Sequence, residues 1–494
     1  MMTCPAALEA AFESAVRDAA RPGGPRWLAL RVETSAQADA DAAPAIHRGI
    51  DRELPGAERF YWECPAEARA VVGVGALEAV EVAGEGRFEE AAREARELFS
   101  GVRVLGSEGP ALAGPLLVGG FAFDSRLGAA IGDEAPGWEG FGSGRLVLPR
   151  LLFVRAGPRS WCTAIRRLSA GADVRREWQA LCAGISELKA AMRAPRAGAR
   201  AGDSQPGSAT LAAPAYRASA DASHAHYRGR VRAALQAIAT GDLEKVVVAR
   251  SIRLHCEGGF DCRSLLATLG RAYPSCVTFA IARRGAEWLG ATPERLAALE
   301  GDRVSTCALA GSAPRGRSPE RDARIGRELR ESKKEQTEHA IVVRAIRESL
   351  RDLCGELDGP ETPRLLRMEG IQHLETPLSG RLKAVEERGA SPSVLDLVAR
   401  LHPTPAICGS PRESARRWIE TNEGLDRGWY AGPIGFVDAE GGGEFRVALR
   451  AALVAGREAR LYAGSGIVLG SDPDCELRET RLKLSALLAP MLEI

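Results

Sequence analysis

The sequence predicts an α+β protein built from layered antiparallel sheets that are flanked by helices. Helices and β-branched strand runs interleave along the chain, but the strand runs lie too close together for regular βαβ units. Near the C-terminal end, three strand runs at 431–437, 445–454 and 459–463 follow one another as a meander. Both observations disfavour a doubly wound parallel sheet.

The chain divides at 194–215, which is rich in Ala, Gly, Pro and Ser and lacks periodic hydrophobicity. Such a segment is typical of a linker or a long surface loop. The sequence therefore predicts an N-terminal α+β part at 1–193, this linker, and a catalytic part at 216–494. In the first part, strands are predicted at 27–32, 116–123 and 145–154, and a helix at 177–192.

The second part is predicted to begin with a helix that ends at Gly241, because glycine is a common residue after the last helical turn. A β-branched strand follows, and later a long, charged and periodic helix breaks near Ser332. Helices are predicted at 224–239, 264–272, 320–353, 393–401 and 412–420, and strands at 246–253 and 276–282.

Composition excludes several classes of partner. The 494 residues carry a formal net charge of +1, which does not indicate the basic surface of a nucleic-acid-binding protein. Apolar runs fall short of the roughly 18–20 residues of a membrane-spanning helix. The 11 cysteines are scattered and odd in number, as in reduced intracellular proteins. We therefore expect a cytoplasmic protein without nucleic-acid or membrane partners.

The most informative motif is YAGSGIVLGSDPDCELRETRLK, near the C-terminal end. Gly464 and Gly466 let the backbone approach a ligand and direct N–H groups at an anion. In the helix that follows, Glu476, Glu479 and Lys483 are spaced to share one face. The motif predicts a site for a negatively charged substrate and a hard cation.

A second Glu-x-x-Glu pair, Glu335 and Glu338, lies on a predicted helix. Two such pairs that converge on one ion would suit Mg²⁺, which prefers oxygen ligands and keeps waters. The alternative for either pair alone is a solvated helix face, which is the commoner role of charged pairs.

Two further residues are candidates for proton transfer. Lys245 begins an apolar strand, where desolvation lowers the pKa of a lysine and makes it a base; the alternative is an edge lysine that blunts strand pairing. Glu294 follows a strand in a turn, where a raised pKa would make it an acid; the alternative is a turn residue paired with Arg295.

Other polar residues could bind carboxylates. Gly311 and Ser312 leave a strand with an amide and a hydroxyl, or form an ordinary turn. Arg450 could form a two-pronged contact with a carboxylate, or face solvent on a strand. His373 and His402 lie at element ends, and each alone is more often structural than catalytic.

Together, these segments resemble the chorismate-utilising enzymes, which include anthranilate synthase large subunits, aminodeoxychorismate synthases, salicylate synthases and isochorismate synthases. The matching motifs span 245–483, about half of the chain, and upstream GGFAFD and LPR also match. In family order they are EKVVVAR, GATPERL, ALAGSAPRG, KKEQTEH, IQHLETPLSG, LHPTPAICGSPR, GWYAGPIGF, EFRVALR and the C-terminal motif.

The resemblance implies the anthranilate synthase component I-like fold, chorismate as the substrate and Mg²⁺ as the cofactor. The implied metal ligands are Glu338 and Glu479 directly and Glu335 and Glu476 through waters. The implied ring-carboxylate site is Gly311 and Ser312, and the implied enolpyruvyl-carboxylate site is Tyr430, Arg450, Gly464, Gly466 and Lys483. Lys245 matches the water-activating base, Glu294 the acid at the C4 hydroxyl, and His373 an active-site histidine whose role differs across the family.

Within the family, the resemblance implies conversion of chorismate to isochorismate. Ala310 stands where aminodeoxychorismate synthases carry a nucleophilic lysine, and Ala406 where anthranilate and salicylate synthases carry a threonine. Ser465, where many relatives have alanine, leaves the glycine loop's backbone contacts intact. The alternatives are a salicylate synthase and a non-catalytic or amidotransferase-partner subunit. We expect a monomer or homodimer without an obligate glutaminase subunit, serving menaquinone or catechol siderophore synthesis.

Overall fold

The computed structural model describes residues 6–19, 24–34, 42–53, 56–125, 137–169, 172–192, 216–383 and 391–493. Its helices are α1 (Ala6–Asp18), α2 (Ala42–Glu53), α3 (Arg87–Ser100), α4 (Val174–Met192), α5 (His224–Ala239), α6 (Cys262–Ala272), α7 (Pro319–Glu331), α8 (Lys333–Cys354), α9 (Val394–Leu401), α10 (Arg412–Asn422) and α11 (Pro473–Glu493). Its strands are β1 (Trp27–Thr34), β2 (Arg59–Cys64), β3 (Arg69–Val82), β4 (Val102–Gly106), β5 (Leu116–Phe121), β6 (Gly144–Ala156), β7 (Arg159–Arg167), β8 (Tyr216–Ala220), β9 (Lys245–Cys256), β10 (Val277–Arg283), β11 (Ala286–Thr292), β12 (Arg295–Glu300), β13 (Arg303–Pro314), β14 (Arg364–Arg367), β15 (Ile371–Arg381), β16 (Gly409–Ser410), β17 (Pro433–Asp438), β18 (Gly443–Val447), β19 (Ala451–Ala455) and β20 (Glu458–Ile467).

The predicted α+β class is confirmed. Among the described residues the named strands pair antiparallel, except that β1 and β4 pair in parallel. None of the helices in the described part of the chain combines the length and apolar character that crossing a bilayer requires. The predicted linker at 194–215 lies outside the described residues.

The strands form one sheet with two wings that share β6. One wing runs in the order β4, β1, β7, β6, β3, β2, β10, β11, β19, β20, β9, β8. The other runs in the order β6, β5, β17, β18, β12, β13, β15, β14. Because β2 pairs with β10 and β5 with β17, strands from both sides of the predicted linker belong to one sheet.

Two apolar cores hold this sheet. The first core lies between the two wings. There Trp62 on β2 makes an edge-to-face contact with Phe436 on β17, with 5.4 Å between the ring centroids. Phe88 of α3 and Leu395 of α9 pack into the same core. The second core lies under α1, α2, α4 and α6, where Phe12 is fully buried.

The site is assembled where α8 packs on β13 and α11 packs on β20. The predicted break at Ser332 is confirmed, because Ser332 ends α7 and its hydroxyl caps α8 by accepting from the Glu335 amide. The predicted strand at 445–454 is wrong as one element: it is split into β18 and β19. Arg450 adopts a left-handed φ of +48°, which interrupts the strand pairing at that point.

A buried ion cluster joins the two chain halves beside this break. Glu444 on β18 is 1% exposed and pairs with Arg69 at 3.0 Å, Arg295 at 2.9 Å and Arg446 at 2.6 Å. Burial alone would raise the pKa of Glu444, but the three guanidiniums outweigh it and lower the pKa to about 2.

We predict that Glu444→Gln lowers the free energy of unfolding by about 3–5 kcal/mol, because the buried guanidinium of Arg446 and the half-buried ones of Arg69 and Arg295 lose their anion. The measurement is the urea midpoint at pH 7. Glu440→Gln, four residues earlier at an exposed position, is the matched control and should unfold like the wild type. Equal midpoints for the two variants would contradict the prediction.

Candidate active site

A cleft of about 720 Å³ opens between β9, β13, β20 and the turns after β11 and β18. Most of the residues predicted from the sequence line it: Glu294, Gly311, Ser312, Glu338, His373, Ala406, Tyr430, Arg450, Gly464, Gly466 and Lys483. The other predicted residues are not among these lining residues, and their contacts are described below: Lys245, Ser465, Glu335, Glu476 and Glu479.

Lys245 is the first residue of β9 and is fully buried. Its Nζ lies 2.9 Å from Oε1 of Glu338, the buried glutamate of α8. Burial raises the pKa of Glu338, but the ammoniums of Lys245 and Lys334 outweigh it and hold the carboxyl ionised. The alternative of an edge lysine that blunts strand pairing is therefore wrong, because Lys245 is buried and β9 pairs with β16 at this residue.

Glu294 sits in the turn between β11 and β12 and is 3% exposed. Its amide donates to Thr292 Oγ1 at 3.3 Å, and its carbonyl accepts from the Val447 amide at 3.1 Å, so both sides of the turn are held. Burial raises the pKa of Glu294 to about 8, although the charges of Lys245 and Lys483 oppose the rise. The carboxyl is therefore protonated at neutral pH.

The alternative pairing of Glu294 with its neighbour is also wrong. Arg295 points away from the cleft and pairs with Glu444 and Glu67. Glu294 itself lines the cleft, and the charges that act on its carboxyl are those of Lys245 and Lys483.

The four predicted metal-site carboxylates each face a lysine. Lys483 lies 2.7 Å from Glu479 and donates to the Gly464 carbonyl at 3.0 Å. One ammonium, that of Lys334, bridges Glu335 at 3.0 Å and Glu476 at 2.9 Å. Glu476 is 1% exposed, so its pair of carboxylates does not form a solvated helix face.

These carboxylates also interact with one another. Burial, followed by the charge of Glu479, raises the pKa of Glu476 to about 7. Burial likewise raises the pKa of Glu335, and the charges of Glu338 and Glu479 add to the rise while Lys334 opposes it. The two Glu-x-x-Glu pairs therefore converge, as the sequence predicts.

The donor set fits Mg²⁺ in its chemistry, because four carboxylates offer only oxygen. Gly466 leaves room for this set: a Cβ there would lie 2.2 Å from Glu338 Oε1 and 2.9 Å from Lys245 Cε. Within the described residues, no three Asp, Glu, His or Cys side chains form a preformed metal shell. The carboxylates are held by ammoniums instead.

Gly311 and Ser312 form a bulge in β13 rather than an ordinary turn. The register with β15 shifts between Ala310 and Ser312, and Gly311 has a left-handed φ of +80°, which glycine adopts without strain. The Ser312 amide donates to Glu335 Oε2 at 3.2 Å. The bulge thus connects the cleft wall with the carboxylate cluster.

His373 joins Ser312 to Arg450. Arg450 is buried, and its Nη2 donates to His373 Nε2 at 2.5 Å, so the imidazole proton is assigned to Nδ1. Nδ1 then donates to Ser312 Oγ at 2.9 Å. Burial and the Arg450 charge hold the pKa of His373 well below its ordinary value, so the ring is neutral.

Tyr430 and Ser465 occupy different sides of the cleft wall. Tyr430 lines the cleft and stacks on Tyr462 at 5.1 Å between ring centroids. The Ser465 side chain points to the opposite face of β20, where it shares a hydrogen bond of 2.7 Å with Tyr227. A role of Ser465 in the cleft therefore rests on its backbone, as predicted for the glycine loop. His402 bonds the Phe123 carbonyl at 2.9 Å and is structural.

Several residues that stabilise the site were not predicted from the sequence. Lys334 bridges two carboxylates, and its only signal is a lysine in the first turn of a helix, where a cation is unfavourable. His339 contacts the Ala310 carbonyl at 3.2 Å, next to the bulge. Arg427, buried with Glu423, donates to carbonyls of two cleft residues, and nothing in the local pattern indicates this.

The fold and the cleft agree with a single enzyme family. Residues 33–492 match the family of chorismate binding enzymes, and the chain belongs to that family. The chain is 34% identical over 440 residues to "Isochorismate synthase MenF" of Bacillus subtilis, with 88% of each chain covered. It is 34% identical over 487 residues to "Salicylate biosynthesis isochorismate synthase" of Pseudomonas aeruginosa, which covers 98% of this chain and 94% of the relative.

Two solved structures share the fold of this chain. The menaquinone-specific isochorismate synthase MenF of Escherichia coli matches with a TM-score of 0.72 and 26% identity, over 98% of this chain and 99% of that one. Anthranilate synthase component I of Streptococcus pneumoniae matches with a TM-score of 0.64 and 17% identity, over 85% and 92% of the two chains. The second match shows the shared fold.

We predict that Glu294→Gln becomes more stable relative to the wild type as pH rises. The folded carboxyl is protonated up to about pH 8, whereas the carboxyl of the unfolded chain ionises near its ordinary pKa. Between these two pKa values the free energy of unfolding of the wild type therefore falls by roughly 1.4 kcal/mol per pH unit. The loss levels off above about pH 8. The measurement is the difference in urea midpoint at pH 5 and pH 8.5. Glu300→Gln, at an exposed position, should give parallel curves; parallel curves for Glu294→Gln would contradict the assignment.

Proposed function

We propose that this chain is an isochorismate synthase, which adds water at C2 of chorismate and releases the C4 hydroxyl. The observation that carries the proposal is that Lys245 contacts Glu338, which lines the same cleft as Glu294, so that a candidate base and a protonated acid interact electrostatically. One base and one acid are what the exchange of two hydroxyl positions requires.

Chorismate carries two carboxylates, and the cleft offers two groups of donors. Arg450 and Lys483, with the backbone of the glycine loop, would bind the enolpyruvyl carboxylate. Ser312 would bind the ring carboxylate, because its oxygen accepts from His373 and its own proton remains to donate. Both carboxylates are needed to fix the ring between the acid and the base.

In the reaction, Lys245 would first give up the proton that its ammonium carries beside Glu338 and would then, as an amine, take a proton from the water that attacks C2. Glu294 would give its proton to the departing C4 oxygen. Mg²⁺, held by Glu338 and Glu479 directly and by Glu335 and Glu476 through waters, would supply Lewis-acid stabilisation of charge at the ring carboxylate. Each proton-transfer residue should contribute roughly 10²–10⁴-fold in rate.

Three further features belong to the same proposal. Ala406 lines the cleft with a methyl group, which offers no hydroxyl for the elimination of pyruvate that a salicylate synthase performs. We expect the chain to act in the cytoplasm without a glutaminase subunit, as a monomer or homodimer. Its product would serve menaquinone or catechol siderophore synthesis. The division into 1–193 and 216–494 remains a prediction.

We predict that incubation with chorismate and Mg²⁺ yields isochorismate alone. Chromatography of the reaction mixture separates the products, and an assay for pyruvate detects elimination. Salicylate together with pyruvate would instead identify a salicylate synthase. Anthranilate formed only in the presence of ammonia or a glutaminase would identify the amidotransferase type.

We predict that Lys245→Met lowers kcat by about 10²–10⁴-fold, because the variant keeps the length of the side chain and lacks the base. Lys333→Met, at an exposed position on α8, should keep wild-type turnover and is the control. Chorismate turnover under saturating substrate measures both. A Lys245→Met rate within about tenfold of the wild type would remove Lys245 from the reaction, since it is below the range for a general base.

A further inference from the structure

Lys334 contacts two members of the carboxylate cluster formed by Glu335, Glu338, Glu476 and Glu479. Its Nζ is 3.0 Å from Glu335 Oε1 and 2.9 Å from Glu476 Oε1. Its charge also interacts with the other two carboxylates. The cluster belongs to α8 and α11, so this one ammonium joins both helices.

The position of Lys334 is unfavourable for its helix. α8 begins at Lys333 after the cap Ser332, and a cation in the first turn opposes the helix dipole. Lys333 is exposed, whereas the Lys334 side chain is only 24% exposed and turned to the carboxylates. The electrostatic reason for a lysine here is therefore the cluster.

The other two lysines of the site differ from Lys334 in their positions and proposed roles. Lys245 is the candidate base, and Lys483 lines the cleft. Lys334 is not part of the cleft lining that the described residues form, and its contacts in the cluster are with carboxylates. Its charge therefore acts on the metal-site carboxylates.

We propose that Lys334 is the resident counter-cation of the cluster, and that a divalent cation binds by displacing its ammonium from Glu335 and Glu476. The inference rests on the magnesium site of the proposed function. Glu335 stays anchored meanwhile, because its Oε2 accepts from the Ser312 amide while only Oε1 faces Lys334. The partly exposed side chain of Lys334 can turn to solvent.

The test is Mg²⁺ binding to the full chain without chorismate, measured by titration calorimetry for the wild type, Lys334→Met and Lys333→Met. Lys334→Met should bind Mg²⁺ roughly tenfold more tightly or better, because removing a competing charge should change the affinity by an amount within the range of about 5–150-fold that is typical of coupling between two ligands. Its melting temperature in EDTA should fall below that of the wild type, and Mg²⁺ should restore it. Lys333→Met should match the wild type in both measurements.

Equal or weaker Mg²⁺ binding by Lys334→Met would overturn the inference. If that variant does not fold without metal, lysine methylation by formaldehyde and borohydride tests the wild type. Mg²⁺ should speed the labelling of Lys334 relative to Lys333, and unchanged or slower labelling would overturn the displacement. Because both measurements omit chorismate, they are independent of the product assay, and a failure of either proposal is recognised separately.

Discussion

The site depends on how far three lysines offset the charge of four buried or half-buried carboxylates. Charges taken out of water are costly unless each is paired. The chain meets this constraint with three lysines, of which Lys334 bridges two carboxylates and Lys245 and Lys483 pair with one each. The balance requires α8 and α11 to come together, and it requires Gly466, because a larger residue would displace Glu338.

The same balance gives two buried glutamates opposite protonation states. Glu338 has the Lys245 ammonium at 2.9 Å and is ionised, whereas Glu294 has no lysine in pairing distance among its described contacts and is protonated at neutral pH. Lys245 influences both carboxyl groups, but a contact ion pair outweighs the cost of burial and a longer interaction does not. Distance from one lysine therefore separates an ionised carboxylate from a protonated one.

The α+β class, most of the elements and most of the cleft residues could be predicted from the sequence, because these depend on local patterns and on motifs in a known order. It did not predict the break at Arg450, since one alternating run covers both β18 and β19 and the left-handed backbone there is fixed by tertiary contacts. Nor did it predict Lys334, whose role appears only when α8 meets α11. The pairing of β2 with β10 joins residues more than 200 positions apart, which no local pattern encodes.

His373 fixes the direction of the hydrogen bonds that connect Arg450 with Ser312. Arg450 donates to Nε2, and Nδ1 donates to Ser312, so the ring is held as a neutral tautomer between two groups suited to carboxylates. A charged imidazole would place a second cation beside Arg450 in a buried site, which burial and that charge both oppose. The ring is therefore suited to orienting its neighbours rather than to exchanging protons with a substrate. With His373 so fixed, the remaining donors of Arg450 and the hydroxyl proton of Ser312 stay available to two separate anionic groups of one ligand.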